Sequence, residues 1–226
     1  MKAALDLAAV IFDLDGLVLD SESTYFRAWR FAAQQMGFCL SQGFCESLSG
    51  LPGPSIAQRL TEYCGKDFDI DFFFDASTQI WREQVKCSGL PIKPGFHSLL
   101  ECLREAGLRF ALATNSRRID AEHCLACSGL EAVFSIMICR DDVVHPKPAA
   151  DIYIKAADVL AVQCSRCLVL EDSPVGVAAA VAAGCPCIFV PSLLPADAKA
   201  VREAGYVMQD LAQVADFISA GSPHPL

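Results

Sequence analysis

The stretch that decides the fold is "VIFDLDGLVLDSE", Val10 to Glu22. Val10, Ile11 and Phe12 read as a buried strand, yet Asp13 and Asp15 follow at once and Asp20 comes five residues later. Buried carboxylates are costly unless they are paired or hold a metal. A strand that aims carboxylates out of its end therefore points to a site there.

Outward from this strand the chain alternates. Short apolar runs at 8–12, 109–113, 135–139, 167–170 and 186–190 read as strands. Amphipathic stretches near 95–106, 118–128, 149–161, 175–183 and 196–204 read as helices. Gly107, Gly129, Gly184 and Gly205 fall where helix C-terminal caps belong. This alternation predicts an α/β fold, a doubly wound parallel sheet with helices on both faces. From 21 to 86 the rhythm breaks: "STYFRAWRFAAQQMG" and "PSIAQRLTEYCG" have helical spacing, and "GLPIKPG" marks the return. The expected organisation is a core of residues 1–19 and 88–226 with an inserted helical domain at 20–87.

The bulk numbers narrow the function. A length of 226 residues suffices for one sizeable core and a small second domain. A net charge of -9 argues against nucleic-acid or anionic-membrane partners, and requires an anionic substrate to meet a local cation or metal. No apolar run is long enough to span a bilayer. The faint signal-peptide likeness of "MKAALDLAAVIF" is broken by Asp6, so a cytoplasmic protein is expected. The 12 cysteines are scattered through apolar context. Cys124/Cys127 lies in a helical pattern and Cys164/Cys167 straddles a strand start, and their separation does not fit a zinc ribbon. They read as reduced core thiols.

In a doubly wound sheet, ligands bind beyond the carboxyl ends of the strands. After the first strand come Asp13 and Asp15; after the second, Thr114, Asn115 and Ser116. Lys147 follows the third, in "HPKPA", and Glu171 and Asp172 follow the fourth. Each alone has an ordinary explanation as a helix cap, turn former or solvated charge. Four strand ends in register point to one site. Asp13 and Asp15 are two apart and share a face while the strand persists, so with Asp172 nearby their repulsion calls for a hard dication such as Mg²⁺. No G-x-G-x-x-G follows the first strand, which weighs against a nucleotide-binding module.

"DLDGLVLDSE", "LATNS", "HPKPAADIY" and "LEDSPVGVAAAVAAG" resemble, in order, the four motifs of the haloacid dehalogenase-like superfamily of phosphohydrolases. The likeness runs along nearly the whole chain, and the helical block is similar to that superfamily's small cap. "DLDGLVLDSE" and "FRAWR" resemble the branch containing β-phosphoglucomutase and sugar-phosphate phosphatases. Motif three departs slightly: the family usually has Gly before the lysine, and Pro where Ala150 stands.

The resemblance implies a Mg²⁺ enzyme acting on a small phosphomonoester; a monomer is expected, with a dimer the alternative. Its metal ligands would be the Asp13 and Asp172 carboxylates and the Asp15 carbonyl, with Glu171 either a ligand or a partner of the ligands. Asp13 would be the nucleophile and Asp15 the general acid and base. Thr114 and the backbone that follows it, at Asn115 and Ser116, would hold phosphoryl oxygens, and Lys147 would offset their charge. Dehalogenases and phosphonoacetaldehyde hydrolases lack the second aspartate, so Asp15 favours phosphoryl transfer. The mutase branch typically carries a histidine and an arginine where this chain has Tyr25 and Gly53, which favours a phosphatase over a mutase. A non-catalytic binding protein of this fold is the further alternative, against which Asp13 weighs. In the cap, the stretch "LSGLPGPS" at 48–55 has no charge, which suits a neutral sugar or polyol, with Arg59 close by. Asp20 and Glu22 would organise the cap hinge or a helix N-terminus. His97, His123 and His224 read as ordinary surface or helix residues, and His145 alone stands near the rim.

Overall fold

Val10, Ile11 and Phe12 are fully buried in an interior strand of a six-stranded, all-parallel sheet. This computed structural model describes residues 6–49, 51 and 53–220; Gly50 and Pro52 of the uncharged loop, and His224, lie outside them. The strands are β1 (Ala9–Phe12), β2 (Arg109–Ala113), β3 (Met137–Ile138), β4 (Cys167–Glu171), β5 (Cys187–Phe189) and β6 (Tyr206–Val207), in spatial order β3-β2-β1-β4-β5-β6. Phe12 lies opposite Leu112 on one side and Leu170 on the other. Asp13, Ala113 and Glu171 therefore emerge level with one another at the carboxyl end, where the strand order reverses direction.

The helices of this unit are α5 (Phe96–Glu105), α6 (Arg118–Ser128), α7 (Asp151–Leu160), α8 (Pro174–Ala182), α9 (Ala198–Glu203) and α10 (Leu211–Ser219); α1 to α4 belong to the insertion. One face of the sheet packs Ile11, Ala111 and Val169 against Ile152, Tyr153 and Ala156 of α7 and Val177 and Ala180 of α8. On the other face Phe12 meets Phe96 edge-on, with ring centroids 5.9 Å apart, and Phe134 at 5.8 Å.

The chain divides into two compact units, one taking in residues up to Leu19 and from Pro91 onward, the other Asp20–Leu90. The second holds α1 (Ser21–Gln35), α2 (Gln42–Glu46), α3 (Gly53–Cys64) and α4 (Ile70–Ser88). Ala32 and Ala33 of α1 pack with Leu60, Phe68 and Phe73. Trp81 of α4 donates its indole N–H to Thr24 at 2.9 Å, and Tyr25 stacks on its ring at 4.4 Å. At the junction Leu19 forms an antiparallel bridge with Ile92, and the Lys93 N–H donates to the Val18 carbonyl at 2.9 Å.

Several elements differ from the sequence expectation. The run at 135–139 pairs only over Met137–Ile138. β6 and α10 close the sheet and its helical layer without having been expected. Gly129 caps α6 in the left-handed region, as its position predicts, but Gly205 does not cap α9. There Ala204 ends the helix in extended backbone, and Gly205 donates to the Cys187 carbonyl at 3.0 Å on the way into β6. All 12 cysteines are free thiols. Among the described residues, no helix is long and apolar enough to cross a membrane.

Candidate active site

The Asp13 N–H still donates to the Leu170 carbonyl at 3.1 Å, so its backbone continues the sheet. The chain then turns: Gly16 donates to Leu19 at 2.8 Å and Val18 to Leu14 at 3.0 Å. The strand ends at Phe12 and does not persist to Asp15, so strand alternation does not set the side of the second aspartate. Asp13 goes inward to a group with Glu171 and Asp172, whose ligand oxygens lie within 4.8 Å of one another. Asp15 instead accepts the Ser116 hydroxyl at 2.6 Å.

Gly16 makes this turn at φ +87°, and a Cβ there would stand 2.1 Å from Asp172 Oδ2. The missing side chain is the room that Asp172 occupies. Three buried carboxylates converging without a sulfur or nitrogen donor form an oxygen-only set of the kind a hard dication takes.

Lys147 supplies the balancing charge. Its buried ammonium donates to Asp13 Oδ1 at 2.5 Å, Glu171 Oε1 at 2.6 Å and the Ala113 carbonyl at 2.9 Å, which uses its three N–H bonds. Burial pushes the Asp13 carboxyl up to about 8, against the pull of Lys147 and with Glu171 and Asp15 adding to the rise. Burial also opposes the Lys147 ammonium, but Asp13 and Glu171 outweigh it and hold its pKa above the usual lysine range.

Glu171 is fully enclosed, and both its oxygens are engaged. Oε1 accepts from Lys147 and from the Tyr153 hydroxyl at 2.5 Å. Oε2 accepts from the Asp172 N–H at 3.1 Å, the Ser173 N–H at 3.3 Å and the Ser173 hydroxyl at 3.0 Å. Ser173 also caps α8, accepting from the Gly176 N–H at 3.0 Å. A Cβ on Gly176 would fall 1.8 Å from Glu171 Cδ, so only glycine admits the carboxylate against this first helical turn.

On the β2 side, Thr114 is buried and accepts the Ser116 N–H at 3.0 Å. The Asn115 side chain faces the neighbouring loop, which leaves its backbone as the part turned to the rim of the expected phosphoryl site. Its Nδ2 donates to the Lys147 carbonyl at 3.1 Å, and its Oδ1 accepts the Lys147 N–H at 2.9 Å. His145 is exposed and pairs with Asp151 at 3.1 Å, ahead of α7, rather than joining the carboxylates. A cavity of about 420 Å³ lies at the β3 edge, lined by Arg118, Phe134, Met137 and Val159, and includes none of the rim residues.

Within the helical unit Asp20 accepts the Ser23 hydroxyl at 2.7 Å and Glu22 that of Ser49. Arg59 is exposed and donates to Ser47 at 3.4 Å. Sequence reading had missed Tyr153, Ser173, Gly16 and Gly176. The glycines left a signal, each standing where a turn or a helix start packs against a carboxylate, and Ser173 left one as the residue before Pro174 at a helix start; Tyr153 left none.

Residues 10–190 match the family of haloacid dehalogenase-like hydrolases, and the chain belongs to that family. It is 33% identical over 185 residues, 81% of this chain and 96% of the relative, to a fructose-1-phosphate phosphatase of Escherichia coli K12. A phosphorylated carbohydrates phosphatase of Thermotoga maritima is 31% identical over 201 residues, 89% of this chain and 93% of the relative. Among solved structures, a Thermotoga maritima protein provisionally assigned as a β-phosphoglucomutase superposes with a TM-score of 0.82 at 26% identity, covering 95% of this chain and 99% of that one.

Proposed function

We propose that this chain is a Mg²⁺-dependent phosphatase that hydrolyses a small phosphorylated sugar or polyol through an aspartyl-phosphate on Asp13. The observation that carries the reading is the meeting of Asp13, Asp172 and Lys147 at level strand ends. The Asp13 and Asp172 carboxylates and the Asp15 carbonyl would hold the ion. Glu171, the third carboxylate of the group, anchors Lys147 through Oε1 and Ser173 through Oε2, and would complete the set as a ligand or as a partner of the ligands. Mg²⁺ held by these groups would offset the charge of the phosphoryl group against the carboxylates.

An Asp13 oxygen attacks phosphorus, and the bond to the leaving oxygen breaks while Asp15 gives that oxygen its proton. Asp15 then takes a proton from water, which cleaves the aspartyl-phosphate and releases inorganic phosphate. Ser116 fixes Asp15 through Oδ2 for both transfers. Thr114 Oγ1 accepts from the Ser116 N–H, and its own proton would serve a phosphoryl oxygen. Lys147 meets the charge that develops there.

The sugar-phosphate phosphatases among the relatives, and the uncharged stretch at 48–55, support a neutral sugar or polyol carrier. Asp20–Leu90 would act as the cap that selects it. Twelve free thiols are in keeping with a cytoplasmic setting. A mutase reading draws on the provisional β-phosphoglucomutase neighbour. Against it, Tyr25 is stacked on Trp81 and Gly53 has no side chain, so neither supplies the mutase imidazole or guanidinium.

The test is a phosphate-release screen of sugar and polyol phosphates with Mg²⁺ and with EDTA. Release that requires Mg²⁺ is expected, without a bisphosphate activator. β-Glucose 1-phosphate with a trace of its 1,6-bisphosphate should give phosphate; rapid conversion to glucose 6-phosphate would make the chain a mutase.

A further inference from the structure

We propose that Tyr153 is a positioning residue for the phosphoryl-transfer step, setting how the Lys147 ammonium is shared between Asp13 and Glu171. The inference rests on the phosphatase reading and extends it to a residue on α7. Tyr153 reaches Lys147 in two ways, one direct and one through Glu171. Its ring lies under the ammonium, 4.9 Å from Nζ to the centroid, and its hydroxyl donates to Glu171 Oε1, the same oxygen that Lys147 contacts.

The ammonium stands almost evenly between its carboxylates, 2.5 Å from Asp13 and 2.6 Å from Glu171. An even division is not what charge alone would give, because Glu171 is the more deeply buried of the two. In a dry site an uncompensated carboxylate attracts a cation strongly. The Tyr153 hydroxyl drains part of the Oε1 charge, as the Ser173 hydroxyl and two backbone N–H groups do for Oε2. With Tyr153 removed, Glu171 draws Lys147 toward itself and away from Asp13. The cation is then misplaced where charge develops in the transition state, while substrate binding changes little. The sequence fits such a donor: a tyrosine with a fully buried hydroxyl must find a partner.

Tyr153→Phe keeps the ring and deletes the donor. On p-nitrophenyl phosphate, kcat should fall about tenfold, the effect of one well-placed hydrogen bond, with KM within twofold. Inhibition by orthovanadate, which mimics the five-coordinate phosphorus, should weaken by a similar factor, and inhibition by inorganic phosphate should hold. Combining the change with Lys147→Ala separates positioning from support. If Tyr153 acts through Lys147, Tyr153→Phe costs no further activity in the Lys147→Ala background. Should the Phe variant not fold, Ser173→Ala removes a donor from the same carboxylate and should shift kcat in the same direction with KM unchanged. A Phe variant with wild-type kcat, an equal weakening of phosphate and vanadate, or additive losses in the double variant would overturn the proposal. A wild type that releases no phosphate from any phosphomonoester would instead remove the phosphatase reading beneath it.

Discussion

Ser116 donates its hydroxyl to Asp15 Oδ2 at 2.6 Å across 101 residues of sequence. The contact ties the end of β2 to the turn after β1, and it separates the two aspartates of the first motif into different surroundings. Asp13 is enclosed with Lys147 and Asp172, whereas Asp15 is partly open. An enclosed carboxylate and a partly open one, held apart, suit a nucleophile and a proton carrier.

Asp15→Ala should slow attack on a sugar phosphate far more than on p-nitrophenyl phosphate, whose leaving group departs without a proton. General acid help is worth roughly 10²–10⁴-fold, so single-turnover kinetics should show the gap plainly. With the aryl substrate the variant should give a fast burst and then stall as phospho-enzyme. Ser116→Ala should show the same preference more weakly. Equal losses on both substrates in the first step would place the acid elsewhere.

Asp13→Asn should bring kcat below about a hundredth of wild type, since no other residue takes over the intermediate. The fold should survive, because the amide keeps the shape of a carboxyl whose charged form burial already disfavours. Circular dichroism and a thermal melt check the fold, and phosphate release checks the activity. Retained turnover would move the nucleophile away from β1.

Mg²⁺ binding should depend on pH with a definite sign. Burial holds the folded-state pKa of Asp13 at about 8, above its ordinary 3.8. Between these values the folded chain retains a proton that the unfolded chain has lost, so this group's contribution to metal-free stability declines as pH rises toward 8. The ion needs the ionised carboxylate, so its affinity should rise over the same range and level off above it, with proton release on binding. Calorimetric titrations at pH 6.5 and 8.5 test this; equal affinities would mean that Asp13 does not ligate.

Gly176→Ala reverses a familiar expectation. Inside a helix this change normally stabilises by about 1 kcal/mol. Here the new methyl would meet Glu171 Cδ at 1.8 Å. A loss on the order of 1–3 kcal/mol, the usual cost of overpacking, should appear in urea melts, together with lower activity as Lys147 loses its anchor. A gain in stability would show that the Glu171 pocket can shift.

The rim was legible because strand ends announce themselves: an apolar run followed at once by charge places Asp13, Glu171 and Asp172 without any knowledge of the pairing. What those residues bond to was not legible. Asn115 reads equally well as a ligand contact or a loop clamp, and only its partner 32 residues away decides. Tyr153 sits on an apolar helix face where any large side chain would satisfy the pattern. β6 is two residues long, too short for a period to register. α10 was readable, with Asp210 as its N-cap and Leu211, Val214, Ala215 and Ile218 on one face.

The bridge between Leu19 and Ile92 has a consequence for how this architecture can vary. A bridged antiparallel pair sets its Cα atoms roughly 5 Å apart, so the chain leaves the first unit and rejoins it at nearly one point. Everything between behaves as a cassette clipped into a closed doorway. Insertions, deletions or wholesale exchange of that cassette leave the ends where they are, and the cost of closing a longer excursion grows only slowly with its length. Such exchange leaves the first unit as it is, with Asp13 held in register by β1.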